Sequence, residues 1–202
     1  FDLATTWTDT YQTFTKTATA RPMEELNGLL LIGNDYLVSS IDTAGTWADN
    51  SLDLPTNYDI TALAAQGSDL LIGTSMGANV CQCKVFLWDT YSSSWTYEDD
   101  LYEIAVNCFI KIDNLVLAQC GTSGNLYYWE GSQMLKFKKI RGLTTGAGDQ
   151  LSTVLKGKAL LANATKIYSI HREESDLPYA IVHEYTAGGT IRGTRTRQRL
   201  LI

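Results

Sequence analysis

Four cysteines, two histidines, a run of three carboxylates and a cluster of four arginines are the groups in this 202-residue sequence whose types and spacing could do chemistry. Cys81-Gln82-Cys83 offers two thiols one residue apart, with Cys108 and Cys120 further along. A zinc site takes close pairs on rigid turns, usually with about two to four residues between members. The Cys-x-Cys spacing is tighter, and Cys108 and Cys120 fall on expected strands, so no metal ligands are assigned and these two are expected as buried free thiols. A disulfide needs an oxidising compartment and a geometry that spacing does not give. His171 and His183 fall on or beside expected strands, with no Ser or Cys nearby in a nucleophile elbow or Cys-His signature. Glu98-Asp99-Asp100 alternates between the faces of a strand and lacks calcium-loop spacing, so it reads as a solvated edge that discourages strand addition. Glycine-rich residues 142–148 lack the Lys-Ser/Thr end of a phosphate loop and read as a linker; the Asn163-Ala164-Thr165 sequon ends an apolar strand and reads as incidental. No catalytic residue and no cofactor are assigned.

The charge pattern is more informative. The net charge is −6, yet Arg192, Arg195, Arg197 and Arg199 stand together near the end with no acid among them. Residues 1–191 therefore hold 12 basic against 22 acidic residues, a net −10. If the end is extended, Arg195, Arg197 and Arg199 share one face. Cations so placed call for an acidic or phosphate-bearing partner, which is the acidic body, a neighbouring subunit or nucleic acid, unless they serve only to block edge-to-edge pairing. Nucleic acid is expected as a partner only through this strip, because the body is acidic. The apolar runs, such as Leu29 to Ile32 and Leu115 to Ala118, are far shorter than the roughly 20 residues of a membrane helix, so no membrane partner is expected.

The elements that would position these groups repeat. An apolar strand with its leading turn recurs as Asn27 to Asn34, Gly67 to Thr74, Ile112 to Gln119 and Lys156 to Asn163. Setting Leu30, Leu70, Leu115 and Ala159 in register spaces the copies by about 40, 45 and 44 residues, the period of a four-stranded propeller blade. A second strand follows each copy: Tyr36 to Asp42, Val85 to Asp89, Leu126 to Glu130 and Ile167 to His171. An outer strand comes next, at Thr46 to Ala48, Ser94 to Tyr97, Met134 to Phe137 and Tyr179 to Val182, and a strand precedes the apolar one at Ile60 to Ala64, Ile104 to Phe109 and Leu151 to Leu155. No window keeps helical spacing, so the chain is all-β. A small twisted sheet cannot cover its own two apolar faces, and neighbouring blades must stack on them.

We expect a propeller over residues 1–190, with blades at about 20–58, 59–102, 103–145 and 146–187. Residues 1–19, with Thr6 to Thr10, are expected as the outer strand of a preceding blade. Residues 191–202 are expected as a basic strand that starts another blade or leads to the rest of the protein. About four full blades with partial ones at both ends leave two arrangements, a fifth blade made from the two partial pieces that closes the ring or a piece of a larger propeller; the first residue, Phe1, and the repeat count favour the second.

Several segments resemble β-propeller families over nearly the whole chain. Trp88-Asp89 stands where WD repeats place their Trp-Asp pair, with Trp129-Glu130 as its echo, although no Gly-His precedes either. Ser40-Ile41-Asp42-Thr43-Ala44-Gly45-Thr46-Trp47 resembles the Asp-box turn of sialidase-like propellers, and Asp89 to Trp95 is a looser copy. Asn-Leu-Tyr-Tyr-Trp-Glu-Gly-Ser, Leu-Leu-Ile-Gly-Thr and the Thr-rich composition look like the irregular propellers in structural proteins of tailed-bacteriophage particles. That resemblance implies a non-enzymatic structural or interaction module of a virion or tail, partnered by other protein subunits and located in an extracellular particle. A secreted or cell-surface lectin-like propeller is the alternative, with glycans as partners. Trp88, Trp95, Trp129, Tyr127 and Tyr128 could stack on sugars, though at recurring blade positions they also read as packing. A sialidase-like reaction would need clustered arginines with acidic and tyrosine catalysts; outside the end strip only Arg21, Arg141 and Arg172 are present, in different blades. The residues expected to bind are thus Arg192, Arg195, Arg197, Arg199, Trp88 and Trp129.

Overall fold

The computed structural model describes residues 12–18, 21–77, 79–112, 114–140, 143, 152–155, 158–162, 166–172, 179–186 and 196–199. The short runs of β-branched and aromatic residues, cut by Gly, Asn and Asp turns, fold as strands. The first antiparallel sheet is β1 (Met23–Leu26), β2 (Leu29–Asn34), β3 (Leu37–Asp42) and β4 (Trp47–Asp53). The second is β5 (Asp59–Gln66), β6 (Asp69–Ser75), β7 (Cys83–Trp88) and β8 (Tyr97–Leu101), and the third is β9 (Val106–Ile112), β10 (Leu115–Cys120), β11 (Asn125–Trp129) and β12 (Met134–Lys139). The fourth comprises β13 (Ser152–Leu155), β14 (Lys158–Ala162), β15 (Lys166–Arg172), β16 (Tyr179–Thr186) and β17 (Thr196–Arg199). Neighbours in each sheet follow chain order, as in propeller blades; the fourth differs from the expected four strands by its fifth, β17.

The sheets stack through three apolar seams. Leu31, Leu52, Ile60, Ile72 and Phe86 fill the first, Leu71, Val85, Val106, Val116 and Ala118 the second, and Ile110, Leu117, Leu126, Leu161 and Tyr168 the third. Side chains alternate across a strand, so β6 sends Leu70 and Ile72 into the first seam and Leu71 into the second. Burial on both faces explains why the second strand of each blade is nearly all apolar. At full burial each large aliphatic side chain contributes roughly 1.5–3 kcal/mol.

The inner strands pack in succession, β1 on β5, β5 on β9 and β9 on β13. All four meet around one cavity of about 100 Å³ lined by Met23, Leu63, Phe109 and Ser152 among others. That cavity marks the axis of the propeller.

Hairpin pairing corrects one register. Leu30 opposes Glu25, Leu70 opposes Ala65, Ala159 opposes Val154, and in the third blade it is Val116, opposite Lys111, that takes this place. Aligning Leu115 instead slips the strand by one residue and exchanges its two faces. Val116 faces the second seam while Leu117 faces the third.

Of the segment expected as a preceding blade's outer strand, residues 12–18 lie along the first blade without forming a strand, and Thr6 to Thr10 lie outside the described residues. Phe14 meets Trp47 edge to face at 5.2 Å, and Arg21 lies 3.8 Å over the Phe14 ring while donating to Asn34 Oδ1 at 2.6 Å.

Candidate functional site

Trp88 and Trp129 end the third strands of the second and third blades, where the seams close. Trp88 is 1% exposed and packs in the first seam, its indole N–H donating to Ser92 O at 2.8 Å. Around it Phe86 makes edge contacts with Tyr58 at 5.6 Å and Trp95 at 5.2 Å. Trp129 is 6% exposed in the second seam, with Tyr97 edge-on at 6.0 Å. Neither indole offers a ring face to solvent, so of the two expected roles both take the packing one, and their place among the residues expected to bind is corrected. The reason is their strand parity, which turns each toward the neighbouring blade.

Arg197 and Arg199 lie on β17, in register with Ile181 and Tyr179 of β16 at the outer edge of the fourth sheet. Arg192 and Arg195 lie outside the described residues, as do Arg141, residues 144–148 and the Asn163 sequon. His171 is opposite Lys158 and Ile181, and His183 is opposite Ser169.

The Asp-box-like turns are built by their carboxylates. Asp42 Oδ1 accepts the amides of Ala44 and Thr46 at 2.9 and 2.7 Å. Asp89 Oδ1 accepts those of Tyr91 and Ser92 at 2.9 and 2.7 Å, and Oδ2 accepts the Ser92 hydroxyl. These donors favour the ionised form, and the carboxyls of Asp42 and Asp89 are held below the usual range chiefly by the Thr46 amide and the Ser92 hydroxyl. Glu130 closes the corresponding turn of the third blade with Gln133. The outer strand expected at Ser94 to Tyr97 is loop as far as Thr96, and β8 begins only at Tyr97.

That shift puts the acidic run inside β8 rather than at its end. Glu98 and Asp100 bind Lys84 at 2.7 and 3.2 Å, while Asp99 Oδ2 accepts the Met134 amide of the next blade at 2.7 Å. The expected solvated edge is corrected at Asp99, which ties two blades together.

A buried polar site that no sequence motif marks centres on Glu103, in the connection between the second and third blades. Its Oε1 accepts the Asn125 amide and the Tyr127 hydroxyl, both at 2.8 Å, with Lys136 Nζ at 3.8 Å. Burial and then the Glu103 carboxylate push the Tyr127 phenol well above its usual range. Gly121 lies against Glu103 Oε2 with φ +62°, where any side chain would be both strained and overlapping. A phenol beside a carboxylate is the pairing a tyrosine nucleophile uses, but here both are buried in the blade junction. Arg21, the described arginine outside the fourth blade, is engaged on the first sheet by Asn34, Lys16 O and Phe14.

Of the four thiols, Cys83 and Cys120 lie beside this site. Cys108 and Cys120 are buried and free, as expected, and so is Cys83, while Cys81 is exposed. Burial pushes Cys83 up to about 12, Cys108 up to about 11, and Cys120 upward as well. Among the described residues no three His, Cys, Asp or Glu side chains converge as metal ligands would.

No protein-family model matches the sequence, and a search of curated proteins finds no match. Solved structures share its architecture. A protein of unknown function from Bacteroides caccae is 8% identical with a TM-score of 0.51, the alignment covering 90% of this chain and 83% of that one. A chain of the mitotic checkpoint complex is 11% identical, TM-score 0.54, covering 90% and 66%. The Dos1 propeller is 12% identical, TM-score 0.52, covering 89% and 57%, so the chain spans a little over half of that propeller. At such identities the likeness is one of fold, and the fold is a β-propeller.

Proposed function

We propose that this propeller is a non-enzymatic interaction module that presents a rigid surface to other protein subunits, and that it belongs to a phage-like virion or tail particle. The observation that carries the first part is the burial of Trp88 and Trp129 in seams between blades and of Glu103 with Tyr127 at a blade junction. Groups suited to chemistry or stacking hold the seams, which leaves loops and sheet edges as the working surface. The arginine strand β17 is such an edge, suited to an acidic partner surface. Quantitative mass spectrometry of purified particles from the source tests the assignment: this chain is expected at fixed stoichiometry with the other structural proteins. Its absence from particles overturns the virion reading. Turnover of a glycoside panel that is lost in Tyr127→Phe overturns the non-enzymatic one.

Glycan binding, the alternative, would use Tyr91 and Tyr102, which are 79% and 89% exposed, in place of the buried tryptophans. A glycan array comparing the wild type with Tyr102→Ala and Tyr91→Ala separates the two readings.

A further inference from the structure

The last strand of each sheet leaves a backbone edge at the rim of the propeller. These four edges do not carry the same charge. β4 holds Asp49 and Asp53, and β8 holds Glu98, Asp99 and Asp100, with no basic residue in either strand. β12 holds Lys136, Lys138 and Lys139, and β17 holds Arg197 and Arg199, with no acidic residue in either. The rim is therefore acidic over the first two blades and basic over the last two, and the sign changes between β8 and β12.

Local pairing does not neutralise either side. Glu98 and Asp100 share the single ammonium of Lys84, at 2.7 and 3.2 Å, and both stay exposed. Lys136 approaches Glu103 at 3.8 Å while remaining exposed, and Lys139 lies exposed at the end of β12. Among the described residues no ion pair runs from β8 to β12; Asp99, which joins them, bonds the Met134 amide instead. Tyr97, exposed at the start of β8, adds an apolar group to the same rim.

We propose that this divided rim is a self-association surface, on which a second copy of the chain sets its β12 against β8 and its β8 against β12. The inference rests on the reading of the propeller as an interaction module and names one of its partner subunits. A two-fold axis parallel to the propeller axis, placed outside the rim between the second and third blades, reverses the order of the blades seen across the gap. Acid then meets base twice over, and the contact closes on itself as an isologous dimer. A two-fold axis lying along the rim would set carboxylates on carboxylates and lysines on lysines, so the charge pattern selects the first arrangement. Exposed ion pairs are individually weak and screened by salt, so the association depends on ionic strength.

Sedimentation equilibrium of the full chain at about 0.1 mM protein, in about 20 mM and then about 500 mM salt, tests the surface. The expected result is a dimer at the lower salt, with a dissociation constant that rises about tenfold or more at the higher. Asp100→Lys and Lys139→Glu should each weaken the dimer about tenfold. An equimolar mixture of the two variants should associate as the wild type does, because each altered strand then faces its complement. A chain that stays monomeric at the lower salt, a dimer indifferent to salt, open-ended polymers, or a mixture no stronger than its components overturns the proposal. If either variant fails to fold, the salt series of the wild type decides alone. A monomer that is nonetheless found at fixed stoichiometry in particles overturns the second copy as partner and leaves the interaction-module reading standing, so the two failures are told apart.

Discussion

Tyr127 of the third blade donates its hydroxyl hydrogen to Glu103, 2.8 Å away in the strand connection that leads from the second blade. The bond anchors the crossover to the blade it enters, and Asn125 makes the same oxygen serve twice. Removing the acceptor leaves two buried donors unmet, whereas removing one donor leaves the carboxylate with Asn125 and Lys136. Glu103→Ala should therefore cost about 3 kcal/mol and Tyr127→Phe only about 1 kcal/mol. Urea unfolding of the two variants measures both. Equal losses would mean that Tyr127 alone carries the junction.

Close approach of blades makes a different demand at Gly73, where an added Cβ would stand 2.6 Å from Val106 Cβ. The obstacle is a β-branched side chain fixed in the second seam, not the far end of a flexible one. Gly73→Ala should destabilise by roughly 1–3 kcal/mol through overpacking. Removing the obstacle in Gly73→Ala with Val106→Gly should recover part of the loss, a coupling that a double-mutant cycle in denaturant reads directly.

Such packing was legible in the sequence where one residue type repeats at one place. The apolar second strands, the turn carboxylates Asp42 and Asp89 and the buried thiols all follow from local pattern, because alternation and turn chemistry act over a few residues. Strand β1 was hidden because Met23–Leu26 carries two glutamates; Glu24 is there to accept the Ala65 amide of the next blade at 3.1 Å. The Leu115 register failed because Leu115, Val116 and Leu117 are all apolar in a strand buried on both faces, so composition cannot tell its two sides apart. Glu103 with Tyr127 was illegible because the pair is made where one blade's connection meets the next, across 24 residues of chain.

The turn carboxylates predict a pH dependence of stability. Asp89 is held below the usual carboxyl range by the Ser92 hydroxyl and the Ser92 and Tyr91 amides. A folded pKa that is depressed stabilises the fold above the unfolded value and loses that contribution as pH falls through the folded one. Asp89→Ala should lower the unfolding midpoint at neutral pH, and its deficit should shrink below about pH 4. A deficit that stays constant on acidification would show that the turn is held by shape and not by the ionised carboxylate.

Thiol reactivity tests the seams as a set. Cys81 is exposed on the β6–β7 connection, whereas Cys83, Cys108 and Cys120 lie between blades with their ionisation suppressed by burial. Since the thiolate is the reactive form, a chromogenic disulfide at about pH 8 should titrate one equivalent rapidly in the native protein and the remaining three only as the blades separate. The slow phase should then track global unfolding, with a rate that rises with urea in step with the loss of β-structure. Rapid release of two equivalents, assigned by peptide mapping to Cys81 and Cys83, would instead place the mouth of the second seam in equilibrium with solvent while the rest of the propeller stays folded.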